Sequence, residues 1–230
     1  MAGLKRVSFD FSAIYRLNRE GFTTLVLGLD DEGLAEPVPA TPLWTMKDAF
    51  AHVTGVARDY TTGRLDDAPS ESWTQRQVDE RRDRTAADIA TEWTDLGPTI
   101  EAMLQASGRA MSAMVMDAVM HHCDVMGALG IRPPHSDEGL RLCLRASNAI
   151  SPRLDAADLP ALRIQTEGFD RVLGTGDEGV TVRGDSFEIT RALFGRRSLD
   201  QIAAFDWSAD PTPYLQYFSF FVPRETALVE

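Results

Sequence analysis

The chain has 230 residues, enough for one large domain or two small ones, and its 43% hydrophobic and 25% charged content is that of an ordinary globular protein. A formal net charge of −12 repels nucleic acid phosphates and anionic lipid, which argues against both as partners. No stretch approaches the ~18 apolar residues needed to span a bilayer. The start, MAGLKRVSFDFS, has basic residues with no apolar segment behind them, so no signal peptide is expected there. Cys123 and Cys143 match no metal-knuckle spacing and are too few for a disulfide framework. The expected location is the cytoplasm.

From the N-terminus, Phe11, Ile14, Leu17, Phe22, Leu25 and Leu29 recur mostly at three- and four-residue steps, which predicts an amphipathic helix over 9–29 with Gly21 as a weak spot. Segment 30–42 is acidic and carries Pro37, Pro39 and Pro42, so a loop is expected. Thr45 with Asp48 three residues on resembles a capping box. The helix it starts runs through Phe50, Val53, Ala57 and Tyr60 and stops near Gly63. Segment 66–83 is charged and polar. A helix over about 85–106 is expected to kink or split at Gly97-Pro98. Segment 110–129 is apolar nearly all round, as in a buried helix, with Gly130 as its C-cap and Pro133-Pro134 ending any continuation. Four helices with loops between them suggest a four-helix bundle, where sites are built from inward side chains on facing helices.

After Pro134 the texture changes, and a domain boundary is expected near Pro133–Ser136, giving domains 1–134 and 135–230. Segment 138–150 reads as a helix. Arg163–Glu167, Arg171–Leu173 and Gly179–Arg183 read as short strands with turns at Gly174, Gly176 and Gly184. Ser186–Phe194 reads as another helix. The fold class is therefore mainly α with a small α+β C-terminal part.

Four histidines are present: His52, His121, His122 and His135. Two sit in the apolar helix 110–129 beside Asp117 and Asp124, and polar groups there need partners. Asp117 and His121 are four residues apart, hence stacked on one face. That spacing suits a carboxylate and an imidazole gripping one ion, and equally suits a buried Asp–His hydrogen bond without metal. Asp124, three residues beyond His121, is placed to orient it. His52, at the edge of its own helix's apolar stripe, is a third donor from across the bundle. Two histidines and a carboxylate leave positions open for water or substrate, as in a catalytic site. His122 falls mid-stripe and reads as a satisfied core histidine, His135 as a loop residue, Cys123 as a small buried hydrophobe, and the methionines as adaptable core.

Three pieces resemble the actinobacterial branch of the DinB-like superfamily, typified by mycothiol-dependent maleylpyruvate isomerases. Trp44-Thr45-Met46-Lys47-Asp48-Ala49-Phe50-Ala51-His52 is similar to that family's W-[ST]-x-x-D-x-x-x-H. Asp117-Ala118-Val119-Met120-His121-His122-Cys123-Asp124 is similar to its E-x-x-x-H-x-x-D. Ala192-Leu193-Phe194-Gly195-Arg196-Arg197-Ser198 is similar to the G-R-R-S near its end. The resemblance implies a DinB-like four-helix bundle holding a divalent metal, usually zinc, on His52, Asp117 and His121. It also implies a sterol-carrier-like α+β domain over the site, with Arg196 and Arg197 as candidates to meet an anionic or sugar-bearing ligand. Two departures stand out: aspartate replaces the usual glutamate at 117, and Cys123 replaces a common tryptophan.

The function implied is a metal-dependent, mycothiol-using transferase or isomerase acting on a small electrophilic metabolite. The alternatives are a metal-dependent hydrolase, a non-catalytic small-molecule-binding protein and a metal-free cyclase on the same fold. A homodimer is compatible with a bundle of this kind.

Overall fold

A computed structural model of the chain describes residues 9–134 and 137–230; His135, expected in a loop, lies outside them. The chain divides into two compact units, Met1–Leu129 and Gly130–Glu230.

In the first unit, α1 (Phe11–Leu27) starts at Asp10, whose side chain accepts from the Ala13 N–H. It buries Ile14, Tyr15, Phe22 and Val26. The proline-bearing segment is not a plain loop. It holds α2 (Asp31–Ala35) and a small antiparallel hairpin of β1 (Pro37–Val38) and β2 (Thr41–Thr45). Proline is tolerated in such a two-stranded ribbon because both strands are edges and need not donate on their outer sides. The hairpin delivers the chain into α3 (Met46–Thr62), where Thr45 and Asp48 form the expected capping box. Gly63, at φ 73°, closes α3 in the left-handed region that favours glycine.

The polar segment 66–83 contains a further helix, α4 (Glu71–Asp79), which carries few apolar residues and buries Trp73, Gln77 and Val78. Then α5 (Ala86–Ser107) runs through Pro98 as one helix rather than splitting. Trp93 and Leu96 before the proline, and Ile100 and Leu104 after it, are all buried and hold both halves to the same core. A 3-10 turn leads into α6 (Ser112–Ala128), which buries residues on most of its circumference, as its composition predicts. Helix α1 packs on α3, α5 and α6, and α3 packs on α4, α5 and α6. The core between them is aromatic: Phe22 meets Phe50 and Trp93 edge-on, and Trp93 donates to the Tyr15 hydroxyl at 2.7 Å.

The second unit begins with α7 (Glu138–Arg145), a 3-10 turn and α8 (Ser151–Ala156), where one helix over 138–150 is expected. Strands β3 (Ala161–Thr166), β4 (Phe169–Leu173) and β5 (Glu178–Arg183) follow. Next come α9 (Ser186–Leu193), α10 (Leu199–Ala203), β6 (Asp206–Trp207) and α11 (Thr212–Phe218), the last three not anticipated from the sequence. The sheet order is β4-β3-β5-β6, with β3 and β5 parallel and both outer pairings antiparallel. Leu162, Ile164, Leu173 and Val182 bury its inner face. No helix among the described residues is long and apolar enough to cross a membrane.

Candidate metal centre

The site begins with helix spacing. On α6, Asp117 and His121 share one face, and His52 faces them from α3. His52 Nε2 lies 3.4 Å from Asp117 Oδ2, and His121 Nε2 lies 3.6 Å from Asp117 Oδ1. One donor atom from each of the three residues falls within 4.8 Å of the others. Donors bound at about 2.0–2.2 Å around a tetrahedral ion stand about 3.3–3.6 Å apart, close to the two Asp117–histidine distances, while the 4.8 Å bound on the whole set is wider. Asp117, a methylene shorter than glutamate, reaches both rings as it stands. Both imidazoles are buried, while the Asp117 side chain is about one-third exposed.

Each imidazole has a polar neighbour at its Nδ1. His121 Nδ1 lies 3.0 Å from Asp124 Oδ2, the contact that the three-residue spacing anticipates. His52 Nδ1 meets Gln77 Oε1 at 2.8 Å. The Trp44 ring packs against both, at 4.8 Å from His52 and 5.5 Å from His121 between centroids. Trp44 is placed there by β2, directly before the Thr45 cap.

Gln77 was not singled out by sequence, because a neutral amide in a polar segment carries no signal of its own. A glycine is the one trace it leaves. Gly55 lies between His52 and Asp59 on the same face of α3, and a Cβ there would come within 2.4 Å of Gln77 Cβ. Only a bare Cα lets α4 approach this closely. Tyr60, also on α3, feels the charge of Asp117. Burial raises its pKa and the negative charge of Asp117 adds to this, so its hydroxyl stays protonated near the cluster.

The neighbouring His122 is a packing residue. Its ring stacks on Phe22 at 5.6 Å and 14°, its Nδ1 lies 2.9 Å from Asn18 Oδ1, and it sits over Gly21, where a Cβ would come within 2.8 Å of Cε1. Burial lowers its pKa to about 4, which leaves it neutral near pH 7. Cys123 is buried, as are Met111, Met114 and Met120.

Arg196 and Arg197, the two candidate arginines, differ in setting. Arg197 is buried and donates to Glu188 at 2.7 Å and to Glu230 at 2.8 Å. Arg196 is half-buried and donates to the Phe194 carbonyl at 2.8 Å.

Residues 15–126 match the family model described as mycothiol maleylpyruvate isomerase N-terminal domain. Two solved structures share the fold. One is described as the mycothiol-dependent maleylpyruvate isomerase, at TM-score 0.55 and 15% identity over 87% of this chain and 92% of that one. The other is a histidine-to-alanine mutant under the same description, at TM-score 0.55, 14% identity and the same coverage. No curated protein matches the sequence.

Proposed function

Because its residues 15–126 belong to the mycothiol maleylpyruvate isomerase N-terminal domain family, we propose that this chain is a metal-dependent enzyme that uses a low-molecular-weight thiol, mycothiol by family, to transform a small electrophilic metabolite. The observation that carries this reading is the meeting of His52, Asp117 and His121, with one donor atom from each within 4.8 Å of the others. In this reading those three residues are the ligands and zinc is the ion. Helices α1, α3, α5 and α6 then form the DinB-like four-helix bundle, and the C-terminal unit is the sterol-carrier-like domain. Arg196 and Arg197 are the candidates for an anionic ligand, Arg197 being held as well by Glu188 and Glu230.

A divalent ion there lowers the pKa of a thiol and favours the nucleophilic thiolate. The protein's own residues do the rest. Gln77 and Asp124 set the two imidazole planes, Trp44 walls the rings from bulk water, and the exposed side of Asp117 leaves room for the incoming sulfur. The sulfur would add to an electrophilic carbon of a double bond in the co-substrate, whose π pair shifts onto the conjugated carbonyl oxygen and leaves a single bond in its place. If the adduct persists the outcome is transfer; if a bond rotates and the thiol departs, it is isomerisation.

The test is turnover of maleylpyruvate by zinc-loaded protein with and without mycothiol. Conversion that requires both zinc and thiol is the expected result. Zinc-dependent conversion without thiol would point instead to hydrolysis or direct Lewis-acid chemistry. Recovery of the substrate unchanged in all arms would remove this metabolite as the substrate.

A further inference from the structure

Behind His52 the structure contains a polar chain that no ligand requirement by itself explains. Gln77 is 0% exposed, and its two amide atoms face opposite partners: Oε1 towards His52 Nδ1 at 2.8 Å and Nε2 towards Asp59 Oδ2 at 2.8 Å. Asp59 is 1% exposed and is contacted by Arg76 at 3.0 Å and Arg64 at 3.6 Å. A carboxylate between two guanidiniums has only acceptors to offer, so it takes the amide's N–H and leaves the amide's oxygen for the histidine. That oxygen can only accept. His52 therefore donates its Nδ1–H to that oxygen, which leaves Nε2, 3.4 Å from Asp117 Oδ2, as the ring nitrogen on the side of the cluster.

We propose that Gln77, its amide oriented by Asp59, is a positioning residue that keeps the His52 Nδ1 protonated and turned away from the cluster, so that Nε2 is the atom left to ligate. The inference rests on the reading of His52 as a metal donor. Imidazole left to itself favours the opposite tautomer, with the proton on Nε2, which cannot ligate through that atom. The chain Arg76–Asp59–Gln77–His52 thus prepares the ligand before any ion arrives. It explains why helix α4, poor in apolar residues, is drawn in over Gly55, and why a buried amide is spent at this place.

The test reads the His52 tautomer by imidazole nitrogen NMR in metal-free protein and, separately, the zinc dissociation constant by competition with a chelator. In the wild type, Nδ1 is expected to carry a proton. In Asp59→Asn the new amide can donate to the Gln77 oxygen while its own oxygen still accepts from Arg76. Gln77 can then turn its N–H towards His52, moving the imidazole proton to Nε2. Zinc affinity should fall by about 10- to 100-fold, the usual cost of losing a ligand's supporting partner. Adding Gln77→Glu to Asp59→Asn should restore both readouts, because the new carboxylate accepts from His52 and from Asn at once. A role in packing alone would not predict that rescue. Gln77→Leu, which removes the acceptor at similar volume, should behave like Asp59→Asn. The inference is overturned if Asp59→Asn and Gln77→Leu both keep the wild-type tautomer and affinity. If the wild type shows the stated tautomer but takes up no zinc, the positioning role stands and the metal reading fails.

Discussion

Replacing His121 with alanine is expected to abolish stoichiometric zinc uptake. The substitution removes one of three donors and leaves His52 and Asp117, which grip too weakly to compete with water and buffer. It also deprives Asp124 of the imidazole it faces at 3.0 Å, and Trp44 of one of the two rings it packs on. Equilibrium dialysis against zinc, with circular dichroism as a check that the helices persist, measures the effect. A His121→Ala protein that keeps a full equivalent of tightly held zinc would show that the ion sits elsewhere and that the cluster is a buried set of Asp–His contacts.

The second large effect concerns stability rather than chemistry. Glu92 on α5 is 6% exposed and is contacted by three arginines. Arg81 binds it in two-pronged fashion at 3.1 and 2.6 Å, Arg58 donates at 3.0 Å, and Arg84 also pairs with it. Burial alone would raise the pKa of this carboxyl; the hydrogen bonds and charges of the arginines outweigh it and hold the pKa below the usual carboxylate range. Arg58 and Arg84 are largely solvated and lose little when released. Arg81 is 3% exposed, and beyond Glu92 it contacts the Gln77 carbonyl at 3.0 Å and Glu80 at 3.9 Å. Glu92→Gln keeps the shape and removes the charge, so it strands a buried guanidinium. The expected loss is about 3–5 kcal/mol of stability in the first unit, read by urea unfolding at pH 7. A change within about 0.5 kcal/mol would mean the network is solvated and contributes little. Since the folded pKa lies below the unfolded one, this stabilisation is present at neutral pH and is lost as pH falls through the folded value.

What the sequence revealed follows from which signals are periodic. Helices α1, α3, α5 and α6 have apolar residues at helical spacing or around the whole circumference, and α3 announces its start with Thr45 and Asp48. The placement of Asp117, His121 and Asp124 on one face is a consequence of the same 3.6-residue period. His52 needed a different clue, its position at the edge of a stripe, because the approach of α3 to α6 is a tertiary fact. Helix α4 was invisible for the reason it matters: it turns Gln77, a polar residue, inward to a polar partner, so its burial leaves no apolar pattern. The hairpin Pro37–Thr45 was hidden by prolines that an edge ribbon tolerates. Pro98 misled in the other direction, since local helix-breaking chemistry yielded to a core held on both sides of it. In the C-terminal unit the glycine-bounded strands were legible. The two-residue β6 and the short α10 and α11 fall below the length at which periodicity means anything.

The central claim is that His52, Asp117 and His121 hold a divalent ion, and elemental analysis of protein purified without a histidine tag tests it most directly. About one equivalent of zinc per chain, lost in His52→Ala, is the predicted result for a site of two histidines and a carboxylate. No zinc or other divalent ion in the wild type, even after reconstitution and removal of excess, would contradict it.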